Sequence, residues 1–583
     1  MTRTPSALLC SALLLSTLTA CKKEAPVTKD EVVDEEGGGD GGAQVEPLSF
    51  TMTGPPSGDF EPGSTLTATG TWSGGASPTL TVNGAASSPA AGEWSVSTDH
   101  SAVLWPDSPL WPVLAEASDT DGTWIRGRRT VIHGEGVSAE APVPAGLVMR
   151  LTDELLVDLT PVLDDAVAGL DLSSLLVSTE PVASLLGAEV YITGASFGAL
   201  LPDFDFKASG LNYSLRVEAV VVYITLDFGF LGDTEVELRA DALTVFGDII
   251  FGVDASGGLT ATAANTDVST ENIELFGITD SFGLVDLLLG DTLAGQVEGL
   301  VIDTLGGLLE AQESLRRLEF SGLVIESDFT SVNHDEEGVN LVATSRVTSE
   351  GEAPDQRLTT PSSFGNPGGA ITPSGVPFHA GLFLDDDLIS ALGGGLIASG
   401  LLVQEVSGDL GSLTLDTSLL GGFIAGFDTL PPGQPVTIRT RPTVAPVGTT
   451  VEEPGVALAL HLGGLELDLL TDQDGDGADD VVMTVVVDAI IGITAGEEGA
   501  LIGVELLDSS ATLLSTSLPA TPAEVEPGLS TLIGVAVPLL VGDLLGSALS
   551  FDLGGITITT LDAGAVDDHG ALYLELDPSG FTF

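Results

Sequence analysis

Nine residues between two alternating apolar runs, from Asp472 to Asp480, read D-Q-D-G-D-G-A-D-D. The carboxylates of Asp472, Asp474, Asp476 and Asp480 fall at positions 1, 3, 5 and 9 of this stretch. Gly477 stands where the chain must turn sharply, and Ala478 offers a backbone carbonyl. Hard oxygen donors at this spacing suit Ca²⁺. The twelfth position is Met483, so the bidentate Glu of an EF-hand is missing. A bound ion would pin the hairpin, since clustered carboxylates repel one another without a cation. A plain acidic turn is the alternative.

Two other spacings invite a chemical reading. Gly194-Ala-Ser-Phe-Gly198 has the pattern of a nucleophile elbow, with Ser196 as its hydroxyl. That device needs a strand, a tight turn and then a helix. Pro202 sits where the helix should run, and His334, His379 and His461 carry no local signature. A serine esterase is the third-ranked reading, and Ser196→Ala is its test. Gly393 to Gly400 is glycine-rich but has no preceding strand and no βαβ unit, so it is not a dinucleotide loop. There is no HExxH and no thiol nucleophile in the mature chain. The sequence therefore assigns no catalytic residue and predicts that the protein is not an enzyme.

The remaining chemistry lies at the N-terminus. Arg3 precedes a short apolar core, Ala7 to Leu18, which reads as a secretory signal over 1–20 and not as a spanning helix. Leu18-Thr-Ala-Cys21 resembles a bacterial lipobox, which implies a covalent diacylglycerol on Cys21, membrane attachment through that anchor, and an outer-membrane address given Lys22. Residues 21–45 form an acidic, glycine-rich tether with nothing to pack. Cys10 and Cys21 are the only cysteines, so the mature chain holds no internal disulfide.

Composition narrows the partners. The chain has 583 residues, 85 acidic against 17 basic, for a net charge of −68. Nucleic acid is excluded as a partner on that balance, as is charge-driven docking on bare anionic lipid. Yet 43% of the residues are hydrophobic and the mean hydropathy is +0.36. Such hydropathy implies a large buried apolar area, a lined cavity or a membrane. Aromatics at 5% argue against a membrane barrel with aromatic girdles.

These features must be positioned by a multidomain scaffold. Residues 46–136 contain all five tryptophans, Trp72, Trp94, Trp105, Trp111 and Trp124, in short alternating runs. They read as an all-β sandwich, with turns that resemble bacterial immunoglobulin-like modules, and with the role of a spacer. From 144 the texture changes. Met149 to Gly169 reads as a helix, or two meeting at Pro161. Strand-like runs follow at Glu189–Thr193, Gly210–Val217, Ala219–Phe228, Glu235–Phe246, Ile249–Ala255 and Leu259–Ala264. An amphipathic helix over about 282–309 closes this first half, 144–349. Residues 350–377 read as a linker. The plan repeats over 378–583: a helix capped by Asp385, a series of strands, a helix starting at Pro527, and two last strands. The expected fold is an α+β two-part module of curved antiparallel sheets, each wrapped on a long helix. Leu151, Leu155, Leu284, Leu288, Leu532 and Leu540 are the candidate pocket residues.

The run Val535 to Leu549, leading into Gly555-Ile-Thr-Ile-Thr559, together with Gly381 to Asp385 and Leu388 to Val406, resembles the two-barrel lipid-binding superfamily. That superfamily includes the bactericidal permeability-increasing, lipopolysaccharide-binding and cholesteryl ester transfer proteins. The Asp472–Asp480 loop resembles the nine-residue calcium loops of integrin-like β-hairpins. The superfamily resemblance spans about 144–583 and implies apolar pockets between helix and sheet that take a lipid or other apolar small molecule. The chain departs from the family in two respects. It cannot form the first-half disulfide of vertebrate members, and it is acidic where several members are basic. The expected function is non-enzymatic binding or transfer of a lipid at the cell envelope. The alternative is a calcium-stabilised structural or adhesive surface lipoprotein without a ligand. Oligomeric state is not legible.

Overall fold

The computed structural model describes most of residues 47–577. Residues 1–46, 169–176, 280–294, 303–315, 535–556 and 578–583, with some shorter stretches, lie outside the described residues. The described residues belong to one compact unit, Pro47–Phe583. The signal segment, Cys21 and the tether thus fall outside the description, as does nearly all of the predicted helix over 282–309. Of that segment, Gly295, Glu298, Gly299 and Ile302 are helical.

The tryptophan-rich region forms two sheets. Ser49–Gly54, Thr65–Ser73 and Gly92–Asp99 make a three-stranded sheet, and five strands centred on Leu110–Ser118 and Trp124–His133 make the other. Alternation turns one face of each sheet inward. Met52, Leu66, Ala68 and Trp94 meet Leu80, Val82, Trp111, Val113 and Val131 in one buried core. At Gly70 a Cβ would lie 2.2 Å from the Thr51 carbonyl oxygen and 2.5 Å from the Trp94 ring, so only glycine lets that ring seat.

This sandwich is bonded to the second half. Arg128 reaches out of it to form a buried ion pair with Asp488, and Arg126 bonds Glu526 at 2.6 Å. His461 is buried nearby in the same sheet as Asp488, its two ring nitrogens bonded to the hydroxyls of Ser108 (2.9 Å) and Thr449 (2.8 Å). Burial pulls the His461 pKa down to about 4, so the ring is neutral there at pH 7. Polar side chains on both surfaces complete one another's hydrogen bonds.

The next sheet joins the two halves. Its seven strands run in the order Arg317–Phe320, Leu323–His334, Gly338–Ser349, Val143–Thr152, Ala380–Asp385, His569–Asp577 and Thr557–Val566. The two central strands are antiparallel, with Leu147 opposite Leu384 and Leu151 opposite Ala380. Each runs directly into a helix, Asp153–Ala168 from the first and Asp386–Ala398 from the second. The internal twofold is therefore visible as a strand–helix unit used twice. Leu151, expected on the helix, is a strand residue. The helix begins only at Asp153, and it continues through Pro161 without a break.

The stretch 350–377, expected as a linker, is packed. Gln356–Thr359 pairs with Glu135–Ser138. Arg150, fully buried, donates to the carbonyls of Gly369 (2.7 Å) and Pro367 (3.0 Å) and forks onto Asp335 at 2.8 and 2.9 Å. A buried guanidinium needs such partners, and they fix the segment to the central sheet.

Two further sheets flank the central one. The first-half sheet has eight strands, dominated by Gly210–Asp227 and Asp233–Val253. The second-half sheet has seven, dominated by Val456–Thr471, Asp480–Ala495 and Ile502–Thr516. Runs read as separate strands are continuous here. The 18-residue strand Gly210–Asp227 is about 60 Å long at ~3.4 Å per residue. The closing helix of the second half starts at 522, five residues before Pro527. Glu524 reaches back to the backbone N–H of Thr521 (2.9 Å), a capping box that sets the start. Among the described residues, no helix is long and apolar enough to cross a membrane.

Candidate functional site

The inner face of the first-half sheet is apolar over its length. Along Gly210–Asp227 the buried side chains are Leu211, Tyr213, Leu215 and Val217, then Val220, Val222 and Ile224. Odd numbers give way to even at Ala219, whose φ is +49°. The facing strand changes parity at the same level, from Val236, Leu238 and Ala240 to Leu243, Val245 and Ile249. All belong to one buried apolar cluster. The irregularity lets two long strands bend while keeping one apolar face.

Leu155 and Leu156 of the Asp153–Ala168 helix pack into this cluster, 6% and 7% exposed. Asp153 holds the start of that helix to the sheet by accepting the Phe206 N–H at 3.2 Å. Burial pushes its carboxyl pKa up. Leu151 packs against the same cluster from the central sheet, half-buried. Leu532 does so from the helix 522–534, beside the buried Leu529 and Ile533. Leu284, Leu288 and Leu540 lie outside the described residues. Such a face offers an acyl chain escape from water at roughly 0.8 kcal/mol per CH₂.

The acidic loop caps the hairpin between Val456–Thr471 and Asp480–Ala495. One carboxylate oxygen from each of Asp472, Asp474 and Asp476 lies within 4.8 Å of the others. The loop is preshaped by its own bonds. Asp472 accepts the N–H groups of Gly475 (2.7 Å) and Gly477 (3.1 Å), Asp474 that of Asp476 (3.1 Å), and Asp476 that of Ala478 (2.8 Å). Gly475 and Gly477 both take positive φ, +81° and +89°. Asp480 is not in the three-carboxylate group; it opens the next strand, paired with Thr471. The donor set is all oxygen, which fits a hard cation such as Ca²⁺.

Gly194–Gly198 forms no elbow. Ser196 ends the strand Ala188–Ser196, opposite Val221, and the chain passes into another strand, Leu200–Lys207, that includes Pro202.

Sequence reasoning missed a buried charged joint. It took Asp385 only as a cap, which it is: Asp385 accepts the Asp387 N–H at 2.8 Å. Asp385, Asp386 and Asp387 are 1%, 4% and 7% exposed. Asp387 accepts from Thr359 Oγ1 (2.7 Å) and Thr360 N (2.9 Å) and pairs with Arg357 at 3.1 Å. Asp386 accepts from Thr360 Oγ1 at 2.8 Å. Burial first, then the nearby Asp387 and Asp568, push the Asp386 pKa up to about 6, against the Thr360 bond. His569 donates through Nε2 to the Ala145 carbonyl (2.9 Å) and stands 3.6 Å from Asp385. Burial pulls its pKa down. Beside this cluster lies a cavity of about 540 Å³, lined in part by Arg357, Leu358, Ser390, Ala391, Gly394 and Val447. The signal in the sequence was three consecutive aspartates at the start of an apolar run, where the helix dipole favours negative charge.

No protein-family model and no curated protein matches this sequence. Among solved structures, the chain is distantly similar to lipopolysaccharide binding protein, at 13% identity and a TM-score of 0.40 over 74% of this chain and 99% of that one. It is also similar to P47 of Clostridium botulinum E1, at 8% identity and a TM-score of 0.23 over 75% and 100% of the two chains. P47 from Clostridium botulinum A2 gives 9% identity and a TM-score of 0.24 over 75% and 99%.

Proposed function

We propose that this chain is a non-catalytic cell-envelope lipoprotein that binds or transfers a lipid or another apolar ligand. Cys21 carries the diacylglycerol that holds it at the outer membrane. The observation that supports the reading is the continuous apolar face of the first-half sheet, kept to one side through the bend at Ala219. Leu155, Leu156 and Leu151 border it. Hydrocarbon is the chemical class that such a surface selects, because the side chains that make it are aliphatic or aromatic. Ca²⁺ held by Asp472, Asp474 and Asp476 serves to fix one hairpin end and takes no part in ligand chemistry.

Organic extraction of the purified full chain, followed by mass spectrometry, tests the reading. The variant Cys21→Ser removes the anchor, so that any acyl chains recovered come from the interior. Co-purifying acyl chains are the expected result, reduced when Leu215→Asp is added. Extracts without lipid, together with no uptake of a fluorescent fatty acid, would overturn the reading in favour of a calcium-stabilised surface protein without a ligand.

A further inference from the structure

The two longest strands of the first half, Gly210–Asp227 and Asp233–Val253, are joined by a tight turn whose side chains face solvent. Phe230 is 96% exposed and Leu231 is 74% exposed. The next residues, Asp233, Thr234 and Glu235, are exposed too, so the end of the hairpin stands clear of the sheet. A Cβ built on Gly229 or Gly232 would meet nothing within 4 Å.

The turn is nonetheless held in shape. Asp227 accepts the Gly229 N–H through its side chain at 2.6 Å. The Phe228 N–H donates to the Gly232 carbonyl at 3.3 Å, and the Gly232 N–H donates to the Gly229 carbonyl at 3.1 Å. Both glycines take positive φ, +64° and +91°. A short 3₁₀ turn over Gly229–Leu231 results, and it points an aromatic and an aliphatic side chain outward from a fixed base.

Single exposed apolar residues are ordinary on a protein surface. A pair in the turn that leads into a 21-residue strand, held there by side-chain and backbone bonds, is a different case. Two side chains are far too little area for a stable protein–protein interface, which needs about 1,200 Å² or more. A bilayer needs no matching surface, and it takes up projecting apolar side chains one by one. The charges around the tip choose among bilayers. Asp227, Asp233 and Glu235 flank the turn, and Glu189 stands opposite Asp227 on the neighbouring strand. Negative charge on both sides disfavours anionic headgroups.

We propose that the Phe230–Leu231 turn inserts into bilayers of neutral or zwitterionic headgroup, as a docking point separate from the N-terminal anchor. The inference is independent of whether the interior holds lipid.

The test uses the full chain carrying Cys21→Ser, so that no acyl group attaches, and phosphatidylcholine vesicles in a flotation assay. The parent chain should float with the vesicles. The double variant Phe230→Ser, Leu231→Ser should bind about a hundred-fold more weakly, since each large apolar side chain is worth roughly ten-fold or more. Val403→Ser, at another exposed apolar side chain (54%), should bind like the parent. Adding phosphatidylglycerol at low salt should lower binding. Circular dichroism and melting should be unchanged in the double variant, because both side chains face solvent. Failure of the parent to float, or equal flotation of parent and double variant, would overturn the proposal.

Discussion

The guanidinium of Arg128, on the sandwich, is buried against the carboxylate of Asp488, on the second-half sheet, each side chain 4% exposed. Asp488 also accepts the Gly464 N–H (3.0 Å) and the Ser510 hydroxyl (3.2 Å). The pair ties residues 360 positions apart in sequence. It makes the sandwich part of the same body as the apolar sheets. Removing one partner of such a pair strands the other charge without compensation. Arg128→Ala should lower the unfolding free energy by about 3–5 kcal/mol, read from urea denaturation. It should also open the connection near His133 to limited proteolysis. Unchanged proteolysis would mean that the sandwich is held without this pair.

A second prediction concerns pH. Asp386 titrates near 6 in the folded chain, above the ordinary 3.8. The folded protein therefore holds this proton more tightly than the unfolded chain does. Below about pH 3.8 the group contributes no difference. As pH rises from there to about 6 it removes stability, and above 6 the loss is constant. Asp386→Asn keeps an oxygen for the Thr360 hydroxyl and cannot ionise. The variant should be more stable than the parent by about 3 kcal/mol at pH 7 and equal to it near pH 3.5. Chemical denaturation across that range gives the difference. A constant offset at all pH values would place the effect in packing and not in ionisation.

The third prediction rests on the proposed Ca²⁺ at the Asp472–Asp476 loop. A ligand that binds only the folded state at one hundred times its dissociation constant adds about 2.7 kcal/mol. Added Ca²⁺ should raise the melting temperature of the parent, and a chelator should reverse the rise. Asp474→Asn retains an acceptor for the Asp476 N–H while removing a charge, so the fold of the loop survives and the Ca²⁺ response should weaken. Equal responses in the two chains would place the ion elsewhere.

Much of this was legible in local pattern. The Asp385 cap, the acidic hairpin loop and the alternating runs are each set by neighbours within a few residues, where periodicity and capping chemistry operate. What escaped depends on distant partners. Leu151, Leu155 and Leu159 have a spacing that fits a helix, yet strands Gly338–Ser349 and Ala380–Asp385 lie on either side of Val143–Thr152 and claim its backbone bonds through Thr152. Val217 looked like the end of one strand and Ala219 like the start of the next. Ala219 instead adopts φ +49° inside a single strand, which no propensity predicts for alanine. The charged joint escaped for the same reason: His569 comes to Asp385 through the central sheet, and Arg357 and Thr360 come to Asp386 and Asp387 from the strand paired with Glu135–Ser138 and the residue that follows it.

The glycine run at the start of the second half gives a prediction with two signs. Gly393, Gly394 and Gly395 sit inside the Asp386–Ala398 helix, where glycine costs about 1 kcal/mol relative to alanine. Packing explains why the cost is borne at only some of them. A Cβ on Gly393 would lie 2.1 Å from the Pro446 carbonyl oxygen, a backbone atom of the segment that crosses the helix. A Cβ on Gly395 would meet the Leu323 side chain at 2.3 Å, which has some freedom to move. A Cβ on Gly394 would meet only Pro354 Cδ, at an ordinary 3.7 Å, on the side of the cavity. Gly394→Ala should therefore raise stability by up to about 1 kcal/mol. Gly393→Ala should lower it by about 2 kcal/mol or more, because helix and crossing segment must separate. Urea midpoints of the two variants decide the matter. If both substitutions stabilise, the helix does not rest on residues 445–447, and the joint it builds with Arg357 and His569 is looser than its hydrogen bonds imply.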